Sequence, residues 1–346
     1  MSFNRMKEKV EYGDTVLVHV GFDNMLPFIV QKGVTHQTKF GAVRHDKLIG
    51  KKYGTKFQCP RGWVYIMHPT PELWTLSLPH RTQILYTTDI SMVIFQLDLK
   101  PGSVVVEAGT GSGSLSHAIL RTIQPSGHLH TFEFHEERSM KAREEFEDHG
   151  LSQFVTVTHR DVCGDGFQLE GVADAVFLDL PRPWECVGSA KKAMKTEGGR
   201  ICTFSPCIEQ VQRSCEELSK HGFSEISTME CLLRNYNIQF AKLQNMNFGD
   251  DDAEDSKTSV KDAEDPSATS PVKGDGDSGK NGSDDCTPAK VAKQEPEVTT
   301  PKSSNPKSKT TAGSSEVSSY CFTSAVPALP MQGHTGFLTF ASLLTH

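Results

Sequence analysis

The chain has 346 residues, of which 36 are Lys or Arg, 43 are Asp or Glu and 36% are hydrophobic; that apolar share is low for a chain of this length folded throughout. No run of eighteen or more apolar residues occurs, and the opening M-S-F-N-R-M-K-E-K lacks the apolar core of a secretory leader, so no membrane-spanning helix and no exported protein is expected. The nine cysteines include no C-x-x-C pair and no Cys/His zinc spacing, which points to reduced thiols inside a cell and to no metal centre.

The apolar deficit is local. From Gly249 to Ser319 the chain consists almost entirely of small, polar and charged residues, with 15 Asp and Glu against 9 Lys and Arg. Such a composition buries too little apolar surface to fold. Residues 249–330 are therefore expected to be a disordered acidic insertion, and deleting Gly249 to Ser319 is expected to leave melting temperature and activity nearly unchanged. Outside Gly249 to Ser319, 27 basic residues nearly balance 28 acidic ones, yet Gln31 to Gly62 alone carries eight Lys and Arg against one Asp. A basic cluster of that kind suits either a polyanionic partner or a merely well-solvated surface.

In chain order, residues 1–70 read as short strands at Thr15 to Val20, Pro27 to Val30, Thr38 to Arg44, Lys56 to Cys59 and Trp63 to Met67. Spacing near ten residues suggests a small β-barrel or sandwich. Thr70 to Lys100 turns helical, with Pro71 at a helix start and Asp89 placed to cap Ile90 to Leu97. Residues 71–248 then alternate strands and helices in the manner of a parallel α/β sheet. The strands are Val104 to Val106, His128 to Phe134, Val155 to Thr158, Ala175 to Leu178 and Arg200 to Ser205. Helices fall at Leu115 to Ile123, Glu136 to His149, Cys186 to Lys195 and Ile208 to His221. Phe223 to Leu232 and a further strand near Tyr236 to Leu243 follow. After the insertion, Thr335 to Ala341 returns as a strand, so residues 331–346 are expected to supply the last strand of the same sheet.

Between the first parallel strand and its helix lies E-A-G-T-G-S-G-S, from Glu107 to Ser114. Glycines let a ligand approach the backbone, and the unpaired N–H groups that open the helix face it. The dinucleotide pattern G-x-G-x-x-G fails, because its last position falls on Ser114 or Ser116. An acid at the end of the next strand, Glu133, suits a ribose diol. Asp161 follows the third strand, and Asp179 opens D-L-P-R-P-W after the fourth.

Glu107-x-Gly109-x-Gly111-x-Gly113 resembles the signature of class I methyltransferases, which bind S-adenosylmethionine on a Rossmann-like sheet. Together with P-H-R-T-Q-I-L-Y-T-T-D at 79 to 89, D-L-P-R-P-W at 179 to 184 and F-S-P-C-I-E-Q-V-Q at 204 to 212, it makes the chain similar to the catalytic subunits of tRNA (adenine-58-N1)-methyltransferases. The resemblance implies a cofactor site made of Leu85, Glu107, Gly109, Gly111, Ser112, Gly113, Ser114, Glu133, Arg138, Asp161, Val162 and Asp179. Asp179 would be the catalytic residue. Gln83, Tyr86, Thr87, Thr203, Phe204, Ser205, Pro206 and Gln210 would meet the tRNA, with the basic N-terminal module also touching RNA. It further implies a related non-catalytic partner, joined as two copies of each subunit, and work in the nucleus. Two rival readings are a methyltransferase for another nucleic acid or protein, and a non-catalytic scaffold of the same fold. The intact acid and glycine set argues against the scaffold.

Overall fold

The computed structural model of the chain describes residues 3, 6–21, 24–78, 83–244, 319–327 and 333–344. The proposed insertion falls mostly outside that range, as does P-H-R-T at 79–82.

Strands β1 (Thr15–Gly21), β2 (Asn24–Ile29), β3 (Thr35–Thr38), β4 (Gly41–Arg44), β5 (Thr55–Cys59) and β6 (Gly62–Met67) make up the N-terminal part. Four of them form an antiparallel sheet in the order β2-β1-β6-β5, and β3 pairs only with β4. Among the described residues the sheet does not close on itself, so of the expected barrel or sandwich the barrel is not formed: an open sheet and a ribbon stand instead. One core still joins them: Val16, Val18, Phe28, Val43, Phe57, Val64 and Ile66 pack together. The stretch Thr38 to Arg44 is not one strand. Thr38 Oγ1 donates to the Gly41 carbonyl at 2.8 Å and accepts from the Phe40 N–H at 3.2 Å, a local bond pattern that turns the chain.

Helix α1 (Pro71–Ser77) starts at Pro71, with Thr70 Oγ1 accepting from the Leu73 N–H. Its Trp74 packs against Leu17, on the face of β1 opposite the first core. Helix α2 (Thr87–Gln96) begins two residues before the expected cap. Asp89 therefore lies buried inside its first turn, where burial pushes its carboxyl up.

The second sheet has seven strands. In chain order come β7 (Val104–Ala108), α3 (Ser114–Ile123), β8 (His128–Glu133), α4 (Glu136–Asp148), β9 (Val155–His159), α5 (Val162–Asp165), β10 (Ala175–Leu178), α6 (Val187–Ala193), β11 (Gly199–Ser205), α7 (Ile208–Lys220) and β12 (Ser224–Met229). Then follow β13 (Tyr236–Gln244), β14 (Ser319–Pro327) and β15 (Phe337–Leu343). The sheet order is β12-β15-β11-β10-β7-β8-β9, parallel from β11 through β9. Central strands covered on both faces read as unbroken apolar runs. Accordingly Val105 and Phe177 face α3 and α4, while Val106, Val176 and Ile201 face α6 and α7.

Strand β15 does belong to this sheet, but it lies between β11 and β12 and runs antiparallel to both rather than ending the sheet. Ser319–Pro327, assigned by sequence to the insertion, forms β14, which pairs with β13 as a separate two-stranded sheet. Ile238–Val326 makes a compact unit of its own. Among the described residues no helix is long and apolar enough to cross a membrane.

Candidate active site

Parallel strands that end side by side place their following loops along one edge, where α/β sheets bind ligands. Here the ends of β7, β8, β9 and β10 surround a cavity of about 550 Å³, within the size range of small-molecule sites. Every residue expected to hold the cofactor lines it: Leu85, Glu107, Gly109, Gly111, Ser112, Gly113, Ser114, Glu133, Arg138, Asp161, Val162 and Asp179.

The bend after β7 is locked to its neighbours. The Gly109 backbone has φ +97°, and a Cβ added there would lie 2.3 Å from the Asp179 carbonyl oxygen; only glycine lets the two loops meet so closely. The Asp179 N–H in turn donates to the Ala108 carbonyl at 2.9 Å. On the other side, Glu133 Oε2 accepts from the Gly111 N–H at 3.0 Å, and Oε1 accepts from the His135 N–H at 3.1 Å and pairs with Arg138 at 2.9 Å. One carboxylate thus ties the bend to the first turn of α4. Asp161 caps α5, its carboxylate accepting from the Cys163 N–H at 3.0 Å.

Four acids, Glu107, Glu133, Asp161 and Asp179, line the cavity beside Arg138, Arg160 and Arg182. Glu107 is buried beneath the bend, where it accepts from Ser116 Oγ at 2.6 Å. Burial, with the charges of Asp179 and Glu133 adding to it, pushes its carboxyl up to about 7. Burial and then Glu133 push Asp179 up to about 6. Acids in this state gain from a cation placed among them. S-adenosylmethionine, a sulfonium ion with a ribose and an adenine, fits this donor set. Glu133 would hold the ribose hydroxyls, the bend the amino-acid end, and Asp161 with Val162 the adenine.

Of the residues expected to meet the substrate, Gln83 and Phe204 line the cavity. Gln210 reaches its rim, donating from Nε2 to the Pro181 carbonyl at 3.1 Å. Tyr86, Thr87, Thr203, Ser205 and Pro206 do not line it. Strand alternation explains two of them: Phe204 packs with the core on the α3 face, so Thr203 and Ser205 share the opposite face with Ile201. Sequence reasoning missed His135, Arg160, Phe177 and Arg182 among the lining residues. Proximity to the predicted acids was the available signal, since His135 stands two positions after Glu133 and Arg160 one before Asp161.

Residues 62–343 match the model of a family described as the tRNA methyltransferase complex GCD14 subunit. The chain is 48% identical over 245 residues to the tRNA (adenine(58)-N(1))-methyltransferase catalytic subunit trmt61a of Dictyostelium discoideum, covering 69% of this chain and 78% of that protein. It is 45% identical over 245 residues to the catalytic subunit TRM61 of Candida albicans, covering 69% of this chain and 73% of that one. Among solved structures, a SAM-dependent O-methyltransferase from Thermotoga maritima superposes with a TM-score of 0.68 at 22% identity, covering 99% of this chain and 97% of that chain. The tRNA (m1A58) methyltransferase TrmI of Aquifex aeolicus does so with 0.62 at 20% identity, covering 98% and 100%. At such identity the two structures speak for the fold alone.

Proposed function

The chain belongs to the family of tRNA methyltransferase complex GCD14 subunits, and from that premise we propose that it is the catalytic subunit transferring a methyl group from S-adenosylmethionine to N1 of adenine 58 in tRNA. The observation that carries the proposal is the meeting of Glu107, Glu133, Asp179 and the three-glycine bend around one cavity. A scaffold subunit without a cofactor has no use for such a set.

When bound, the cofactor supplies an electrophilic methyl group on a sulfonium centre. Adenine N1 lies on the Watson–Crick edge, so the base must leave its pairing partner and enter the cavity to react. Asp179 then has two tasks. Its carboxylate accepts a hydrogen bond from the exocyclic amine, which aims N1, and its charge favours the positive charge growing on the ring. The amine proton, made more acidic by ring methylation, can pass to the same carboxylate afterwards. Leu180 and Pro181 line the cavity beside it, and Gln210 holds the Pro181 carbonyl, so the Asp179 loop is braced from α7. Phe204 offers a flat apolar wall to the flipped base.

The basic N-terminal module supplies the phosphate contacts in this scheme, from Lys32, Lys39, Arg44, Lys47, Lys51, Lys52, Lys56 and Arg61. The family description names a complex, and we propose a related, non-catalytic partner assembled with this chain as two copies of each, acting in the nucleus. Gel filtration with light scattering of the co-expressed subunits tests the stoichiometry, and imaging of the tagged chain tests the location. Mass spectrometry of ribonuclease fragments of unmodified tRNA treated with this chain and its partner should reveal 1-methyladenosine at position 58. Methylation of another position or another polymer in its place refutes the assignment.

A further inference from the structure

We infer that His117, held by His149, is a positioning residue for the cofactor bend. This rests on the S-adenosylmethionine reading above. Gly113, at φ +75°, ends the bend and caps α3. Its carbonyl accepts twice from residue 117: from the backbone N–H at 3.1 Å and from the ring Nδ1 at 2.6 Å.

A carbonyl can only accept, so His117 Nδ1 carries a proton toward Gly113. His149 Nδ1 lies 2.8 Å from His117 Nε2, so one proton lies between the two rings. Burial, with His117 beside it, pushes His149 down to about 2. Phe3, Trp74 and Phe146 pack around the two rings, which are 1% and 3% exposed. Burying two imidazoles costs free energy unless their nitrogens are bonded, and α3 would form as readily with an aliphatic residue at 117.

What the pair does follows from where it stands. His149 is the C-terminal cap of α4, and the first turn of the same helix carries Arg138, which with the His135 N–H just before it holds Glu133. Glu133 fixes the Gly111 N–H, and the histidines fix the Gly113 carbonyl. One helix therefore holds the bend at two points, the Thr110–Gly111 and Gly113–Ser114 peptide groups, with Ser112 between them. The His117, Glu145 and His149 ligand atoms lie within 4.8 Å of one another, a grouping that invites comparison with a metal site. The direct 2.8 Å nitrogen contact instead places a proton between the rings.

Asparagine and glutamine separate the two bonds, since the Asn amide falls near the place of Nδ1 and the Gln amide near that of Nε2. In the full chain with its partner subunit, binding of S-adenosylhomocysteine is measured by calorimetry beside the melting temperature. His117→Gln should weaken binding by roughly 3- to 10-fold, as loss of one hydrogen bond to the bend does. His117→Asn should stay within about 2-fold of wild type, the Gly113 bond being kept. In steady state the Gln variant should raise KM for S-adenosylmethionine with kcat little changed, and a chelator should leave binding unaffected. Equal loss in both variants, no loss in either, or loss with the chelator overturns the inference. Failure of the wild-type complex to bind the ligand would count against the cofactor reading instead.

Discussion

The two halves of the cavity are built differently. On the glycine side, Glu133 accepts from the Gly111 and His135 N–H groups and pairs with Arg138, so its geometry is set before any ligand arrives while acceptor sites remain for a diol. On the Asp179 side the fixing is done through the backbone, by the Ala108 and Pro181 carbonyls, while burial raises the acid itself. The difference teaches which half binds and which half reacts. A carboxylate meant to hold a diol is best locked in place, whereas one meant to meet a developing positive charge does more when it is poorly stabilised beforehand.

That contrast can be broken by mutation. The largest effect is expected from Asp179→Ala, which should lower kcat by at least about 100-fold, the scale of removing one oriented electrostatic partner, while sparing cofactor affinity. Glu133→Ala should do the reverse, costing affinity first. Calorimetry and single-turnover assays on the two variants decide it; equal losses of affinity would erase the distinction between the halves.

Next comes Gly109→Ala, which strikes both halves at once. The added methyl meets the Asp179 carbonyl at 2.3 Å, and the positive φ is strained as well, so stability should fall by more than about 1 kcal/mol. Melting temperature and cofactor binding should both drop. An unchanged melting curve would mean that the two loops are free to part.

The pH dependence sharpens the same point. In the proposed scheme only ionised Asp179 supplies the negative charge that favours the growing cation and can take the amine proton, and its carboxyl is raised from the ordinary 3.8 to about 6. Activity should therefore fall as pH drops through about 6, where an ordinary aspartate would still be charged. A kcat/KM profile flat down to pH 5 contradicts this.

The last effect concerns stability. Glu107 goes from 4.5 in the unfolded chain to about 7 in the fold, so between those values the folded state holds more protons. Stability then declines as pH rises from about 4.5 to 7, by on the order of 3 kcal/mol. Glu107→Gln should abolish that slope, raising the melting temperature at pH 8 while leaving it nearly unchanged at pH 5. A slope that survives the substitution would place the titration elsewhere.

Most of the cofactor half was legible in the sequence because its determinants are local. A β-branched run, three glycines and an amphipathic helix follow one another within Val104–Ile123, and the acid of the next strand falls at a fixed distance. The substrate half was less legible. Thr203 and Ser205 flank Phe204 in a stretch that the sequence presents as one block, but strand alternation turns only Phe204 toward the cavity. The N-terminal module shows the same limit: its strands could be read from alternation, whereas the failure of the sheet to close depends on which strands pair.

By itself the sequence determined the parallel strands, the bend that follows the first of them and the acids at their ends, because period, glycine placement and chain direction are properties of neighbouring residues. Only the tertiary structure decided that β15 returns between β11 and β12, that Gly109 abuts Asp179, and that the histidine capping the far end of α4 meets His117, which bonds the bend. These are contacts between segments tens of residues apart. They are chosen by what packs and hydrogen-bonds once the sheet is assembled, and no local pattern carries them.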